Sequence, residues 1–159
     1  MNLEESKRLF KKNIRSVEIG IHNYCNRTCT FCPLSRPDVD RRDHKNIVYM
    51  SDDMYDSIFS QLSEIDFDGR IDFTRYHEPL SKKEIILSKI KVAKYYLPHA
   101  KISLNTNSDY LNKDYLQELL EAGMDHIAMQ AYLANGVTEY DENEVFVRIN
   151  TIADRIGVP

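Results

Sequence analysis

The chain has 159 residues, 42% hydrophobic and 29% charged, with a net charge of −4. That length and balance describe one globular domain with a core of its own, and they exclude a basic nucleic-acid-binding surface. No stretch approaches the roughly 20 apolar residues of a membrane span, so no membrane partner is expected.

The first residues, "MNLEESKRLFKKN", are charged with both signs and lack the apolar centre of a secretory signal. The expected compartment is therefore the cytoplasm, where thiols stay reduced. "SVEIGIH" (Ser16–His22) places Val17, Ile19 and Ile21 at alternate positions, the period of a strand. Ser51 reads as the N-cap of a helix, with Asp52 and Asp53 at its positive dipole end and a stripe of Met54, Ile58, Leu62 and Ile65. A second strand is predicted over Arg70–Tyr76, with Ile71 and Phe73 on one face. The next helix opens with a capping box, Ser81 to Glu84, and is stopped by Pro98. Ala100–Asn107 repeats the strand pattern with Ile102 and Leu104, and a helix then runs from the cap Asn112 to Gly123, a good left-handed terminator. Asp125–Ala131 supplies a fourth strand with Ile127 and Met129. A last helix spans Glu142 to Ile156, carries Val145, Ile149, Ile152 and Ile156, and stops at Gly157. This alternation predicts an α/β fold with a parallel sheet and right-handed crossovers.

The opposite strand faces read Glu18, Gly20, His22; Asp72, Thr74, Tyr76; Ser103, Asn105, Asn107; and His126, Ala128, Gln130. A flat sheet covered by helices on both sides would be nearly all apolar. One polar face in every strand predicts a curved parallel sheet, helices outside, with a wet concave face suited to a binding cavity. An antiparallel sheet with one side in water is the competing account.

All three cysteines fall within "YCNRTCTFCPLS", at Cys25, Cys29 and Cys32, directly after the first strand. Parallel α/β sheets place their ligands at that end. Three cysteines leave one unpaired, so a disulfide framework is excluded and metal or redox chemistry is the better reading. A closed zinc site needs a fourth ligand, which His22, His44 or His77 would have to supply. Three thiolates can instead hold three corners of a four-iron cluster, leaving the fourth iron to a small molecule.

CxxxCxxC after the first strand of a βα repeat, with Phe31 before the last cysteine, resembles the radical S-adenosylmethionine (radical SAM) superfamily. Further matches follow in chain order. "FTRYHEPL" (Phe73–Leu80) stands where that family has a "GGEP"-like motif, with Glu78-Pro79 intact and Tyr76 and His77 in place of the glycines. "LNTNSDYL" (Leu104–Leu111) resembles the "TNG" stretch through Asn107, with Ser108 replacing the glycine. "HIAMQAY" (His126–Tyr132) offers Gln130 where the family presents a polar group to the ribose. "CPLSRPD…YMSDDMYDSI" is similar to the branch carrying SPASM-like C-terminal extensions.

The resemblance implies a 4Fe-4S cluster on Cys25, Cys29 and Cys32. It also implies S-adenosylmethionine held by Phe31, Tyr76, His77, Glu78, Pro79, Asn107 and Gln130. The implied activity is reductive cleavage of that cofactor to a 5′-deoxyadenosyl radical, which abstracts hydrogen from a small-molecule or peptide substrate and needs an external one-electron reductant. The alternative is a non-catalytic zinc or iron–sulfur module. Residues 1–159 are expected to be the N-terminal portion of the core domain, a partial (β/α) barrel with four of the family's six strands. The exposed fourth strand and the ending "IGVP" predict a longer polypeptide, or a covering chain or oligomer. Arg41 or Arg42, in the charged run Arg36–His44, could meet an anionic substrate.

Overall fold

The structure, a computed structural model, describes residues 2–33, 46–134, 137, 139 and 141–158. His44, Arg41 and Arg42 therefore lie outside the described residues. The elements run α1 (Leu3–Asn13), β1 (Ser16–Ile19), α2 (Asp52–Glu64), β2 (Arg70–Phe73), a short 3₁₀ turn (Pro79–Ser81), α3 (Lys83–Tyr96), β3 (Lys101–Thr106), α4 (Lys113–Ala122), β4 (His126–Met129) and α5 (Glu142–Ile156). The strands form one sheet in the order β1-β2-β3-β4, and every pairing is parallel. The antiparallel account is thereby excluded.

Register explains the two faces. Ile19, Phe73, Leu104 and Ile127 pair in one row across the sheet, and Glu18, Asp72, Ser103 and His126 pair in the adjacent one. The first row packs under the helices, which contribute Tyr55, Phe59 and Leu62 from α2, Ile86, Ile90 and Ala93 from α3, and Tyr115 and Leu119 from α4. Each fully buried Ile, Leu or Phe there contributes roughly 1.5–3 kcal/mol relative to exposure. The second row faces the concave side.

Several caps form as their sequence signals demand. Ser51 accepts from the Met54 amide and Asn112 from the Tyr115 amide. Gly123 (φ 108°) and Gly157 (φ 75°) close α4 and α5 in the left-handed conformation that only glycine adopts without strain.

Four expectations need correction. The capping box does not form: α3 begins at Lys83, its cap residue Lys82 makes no side-chain bond, and the Ser81 hydroxyl donates to the Glu78 carbonyl at 2.8 Å. The proline of the "EPL" turn starts a 3₁₀ segment that takes up Ser81 before α3 can. The α2 stripe is rotated, so Met54 is 56% exposed while Tyr55 and Phe59 fill the core. In α5, Ile152 and Ile156 are buried but Ile149 is 47% exposed. The strands are also shorter than their alternating patterns, because the chain turns into the cleft beyond Ile19, Phe73 and Met129. Helix α1 went unpredicted; its Asn2 cap accepts from the Glu5 amide, with acidic residues in the first turn and lysines in the last. Among the described residues no helix is long and apolar enough to cross a membrane.

Candidate functional site

The cysteine loop leaves the end of β1 through a short stem. His22 bridges antiparallel to Tyr49, the Asn23 amide donates to the Val48 carbonyl at 3.2 Å, and the Met50 amide donates to Ile21 at 3.0 Å. Beyond the stem lie Cys25, Cys29 and Cys32, all half-buried thiols. The Cys32 amide donates to the Cys29 carbonyl at 3.0 Å, a tight turn joining the last two. Burial pushes the Cys29 thiol up in pKa, against the opposing pull of the Arg27 charge.

Opposite stands the end of β2. The Glu78 amide donates to the Tyr24 carbonyl at 2.9 Å, stitching this turn to the start of the cysteine loop. The Glu78 carboxylate is 2% exposed. Its Oε1 accepts from the Leu80 amide (3.1 Å) and the Thr106 hydroxyl (2.7 Å), and its Oε2 accepts from the Asn107 amide (2.8 Å). Burial raises its pKa to about 7, although all three bonds favour the charged form. Among the described residues no lysine or arginine forms an ion pair with it. An ionised carboxylate has about four acceptor sites, and these bonds fill three. Just before it, Arg75 holds a left-handed φ of 91° and pairs with Glu18 of β1. Strain of that kind at a cleft is characteristic of ligand-binding turns.

The end of β3 completes the third wall. Asn107 spans the gap: its side-chain amide donates to Asn26 Oδ1 at 2.8 Å, inside the cysteine loop. Ser108 takes φ 64° and is fully buried. The glycine expected at this position thus has a physical reason, and serine occupies the same left-handed conformation at a steric cost of roughly 1–2 kcal/mol.

These three chain turns enclose a cleft of about 220 Å³. It brings together Cys25, Cys29 and Cys32 with Phe31, Tyr76, His77, Glu78, Asn107 and Gln130. Pro79 is not on its wall; it is buried at the start of the 3₁₀ turn, where it shapes the backbone after Glu78. His22, a candidate fourth ligand, turns elsewhere: its Nδ1 accepts from the Tyr24 amide at 3.1 Å, its Nε2 lies 3.5 Å from the Ser81 hydroxyl, and its ring packs edge-on against His77. Phe31 is 68% exposed and its ring lies 5.2 Å from that of Tyr132.

Sequence reasoning missed Arg27, Thr74, Arg75, Asn105, Thr106 and Tyr132, which also line the cleft. Thr74 and Asn105 were legible from strand alternation, as members of the polar face. Nothing in the local sequence points to Arg27 or Tyr132, because their partners lie far along the chain.

A profile described as the Radical SAM superfamily matches residues 19–131. A curated relative, the S-adenosyl-L-methionine-dependent 2-deoxy-scyllo-inosamine dehydrogenase of Niallia circulans, is 38% identical over 108 residues, covering 68% of this chain and 41% of that protein. Two solved structures share the fold. BtrN in an open conformation has a TM-score of 0.63 at 32% identity, covering 73% of this chain and 49% of that one. BtrN in complex with AdoMet and 2-DOIA has a TM-score of 0.64 at 30% identity, covering 89% and 55%. The chain therefore spans about half the length, or less, of the proteins it matches. A profile match running from the end of β1 past β4, and relatives that share both sequence and sheet, establish that this chain belongs to the Radical SAM superfamily.

Proposed function

We propose that this chain forms the cofactor-binding part of a radical SAM enzyme. In this reading Cys25, Cys29 and Cys32 hold three irons of a 4Fe-4S cluster, and S-adenosylmethionine lies between their loop and the ends of β2 and β3. One observation carries it: three thiols share a cleft with a buried carboxylate that, among the described residues, forms no ion pair. The donor set suits the cluster, since soft thiolates select iron–sulfur groups or zinc. A zinc module would have no use for Glu78 at the end of β2.

When bound, the cluster and S-adenosylmethionine supply the one-electron cleavage of a C–S bond and a radical able to abstract hydrogen from substrate. The chain's own residues bind and orient. The acceptor position left on Glu78 receives an N–H of the methionine amino group. Thr106 and Asn107 hold that carboxylate in place, and Gln130 at the exit of β4 offers its amide to the ribose. Phe31, Tyr132 and Tyr76 cover the cleft with aromatic surface and exclude water.

The name of the Niallia circulans relative supports a dehydrogenation, the oxidation of a carbinol on a hydroxylated ring, as the reaction. Thr74, Arg75 and Asn105 give the cleft the polar lining such a substrate needs. An external one-electron reductant, and a further segment or second chain beside β4, complete the proposal.

Anaerobic reconstitution with iron and sulfide tests it, followed by reductant plus S-adenosylmethionine and assay for 5′-deoxyadenosine. The expected result is brown protein with about four irons per chain, an EPR spectrum altered by S-adenosylmethionine, and slow cleavage uncoupled from substrate. Tightly held stoichiometric zinc with no iron uptake would overturn it.

A further inference from the structure

We propose that Asp109 is the positioning residue of the cysteine loop, and that its ion pair with Arg27 sets the reduction potential of the group the loop holds. The proposal rests on the cluster reading above.

Asn26 and Arg27 lie between Cys25 and Cys29, and both reach across 82–83 residues of sequence to one carboxylate. Arg27 is bidentate, donating from Nε to Asp109 Oδ2 at 2.7 Å and from Nη2 to Oδ1 at 2.8 Å. The Asn26 amide donates to Oδ2 at 2.7 Å. The third guanidinium nitrogen of Arg27 donates to the Leu133 carbonyl at 2.6 Å, beyond β4. Arg27 thus borders the cleft with every nitrogen committed to the protein; it clamps and is not free to bind a ligand. Asp109 is itself fixed from behind. Its amide donates to Asn107 Oδ1 at 3.0 Å, Arg148 of α5 donates to its Oδ1 at 2.5 Å, and Arg155 donates to its carbonyl at 2.9 Å. One side chain therefore ties the cysteine loop to the ends of β3 and β4 and to α5.

The pair has an electrostatic consequence as well. Its side chains are 10% and 23% exposed, so solvent screens the charges weakly. Arg27 stands two residues from both Cys25 and Cys29 and lines the same cleft as their thiols. Iron–sulfur potentials respond to net charge, hydrogen bonding and burial near the sulfurs. Reduction adds a negative charge to the loop that carries Arg27, and Asp109, shared between Arg27 and Arg148, offsets part of the stabilisation that Arg27 would otherwise give.

Two variants separate this from mere loosening of the loop. Asp109→Asn keeps the shape and leaves Arg27 and Arg148 without their carboxylate, so the midpoint potential rises. Arg27→Gln removes the cation, so the potential falls. Both should also retain iron about tenfold more weakly, as loss of outer-shell partners does. Asp125→Asn is the control: it removes an ion pair with Lys94, remote from the cleft, while its amide oxygen can still accept from the Ile102 amide. It should lower thermal stability and leave the potential unchanged.

The measurement is an anaerobic redox titration of the reconstituted full chain, followed by EPR, with iron counted after desalting. Shifts of opposite sign, with an unmoved control, support the proposal. Shifts of the same sign, or none, in variants that hold iron overturn it. If Asp109→Asn does not fold, the downward shift of Arg27→Gln carries the test alone, and its absence overturns the proposal. A wild-type chain that takes up no iron instead removes the cluster reading on which the proposal rests.

Discussion

Two carboxylates face the concave side of the same sheet, and the chain treats them in opposite ways. Asp72, in the middle of β2, is 8% exposed and is met by the Ser16 hydroxyl at 2.5 Å, the Ser103 hydroxyl and Arg70 Nε at 2.7 Å. Burial pushes its pKa up, but those bonds and the Arg70 charge outweigh it, and the carboxyl sits below its usual range. Glu78, past the end of β2, is more deeply buried and has three hydrogen bonds but, among the described residues, no ion-pair partner, so burial wins and its pKa climbs to about 7. Similar hydrogen bonding with a different counter-charge separates a carboxylate that the fold keeps ionised from one that burial pushes toward its neutral form.

Their contributions to stability have opposite pH slopes. The Asp72 contribution is present above the ordinary value of 3.8 and is lost as pH falls through its lowered folded value. For Glu78, the unfolded chain ionises near 4.5 while the folded chain stays protonated to about 7. Stability therefore falls as pH rises across that window, and the penalty is constant above it.

The largest expected effect lies on the ligand side. Alanine at any of Cys25, Cys29 or Cys32 should abolish iron uptake, read as iron per chain and loss of visible absorbance. Full loading of a single-cysteine variant would refute the three-thiolate assignment. Next, Asp72→Ala leaves the buried Ser103 hydroxyl with only the distant Ile71 carbonyl, at 3.5 Å, to accept from it, and should cost about 1–3 kcal/mol in urea denaturation, with iron loading of the folded chain unchanged. Glu78→Ala should weaken S-adenosylmethionine binding by about 1.5–3 kcal/mol, roughly 10- to 150-fold. Wild-type affinity should also rise with pH through about 7, a step that Glu78→Gln removes. A variant that keeps that step would reassign it to the ligand. The smallest effect is at Ser108: glycine relieves a left-handed penalty of about 1–2 kcal/mol but adds about 0.4–1 kcal/mol of unfolded-state entropy, a net gain of about 0.8 kcal/mol. A lower melting temperature for Ser108→Gly would mean that the buried hydroxyl is worth more than the strain.

What the sequence disclosed follows the range of the physics involved. Ser51, Asn112, Gly123 and Gly157 act within one turn of their own helices, and each was legible from a few neighbours. The strands were legible because alternation is local, and so was the cysteine loop, whose donors are packed into one short stretch. Ser81 misled because two local signals competed: the capping box asked for a helix start, and the proline two residues earlier imposed a 3₁₀ turn first. Met54 misled because an apolar stripe fixes the period of a helix more firmly than its rotation. Arg27 and Asp109 were invisible as a pair, since only the folded sheet brings the first loop to the third. Asp72 could be placed on the polar face, but its three partners come from three strands and no single segment announces them.

The stem at His22 and Tyr49 bears on how such a scaffold can diversify. Bonds at Asn23–Val48 and Ile21–Met50 pin both ends of the intervening segment at one point of the sheet's rim. With the ends fixed, doubling the number of residues between them costs only about 0.6 kcal/mol in closure entropy. A change in the number of residues between the two pinned ends therefore costs the fold little.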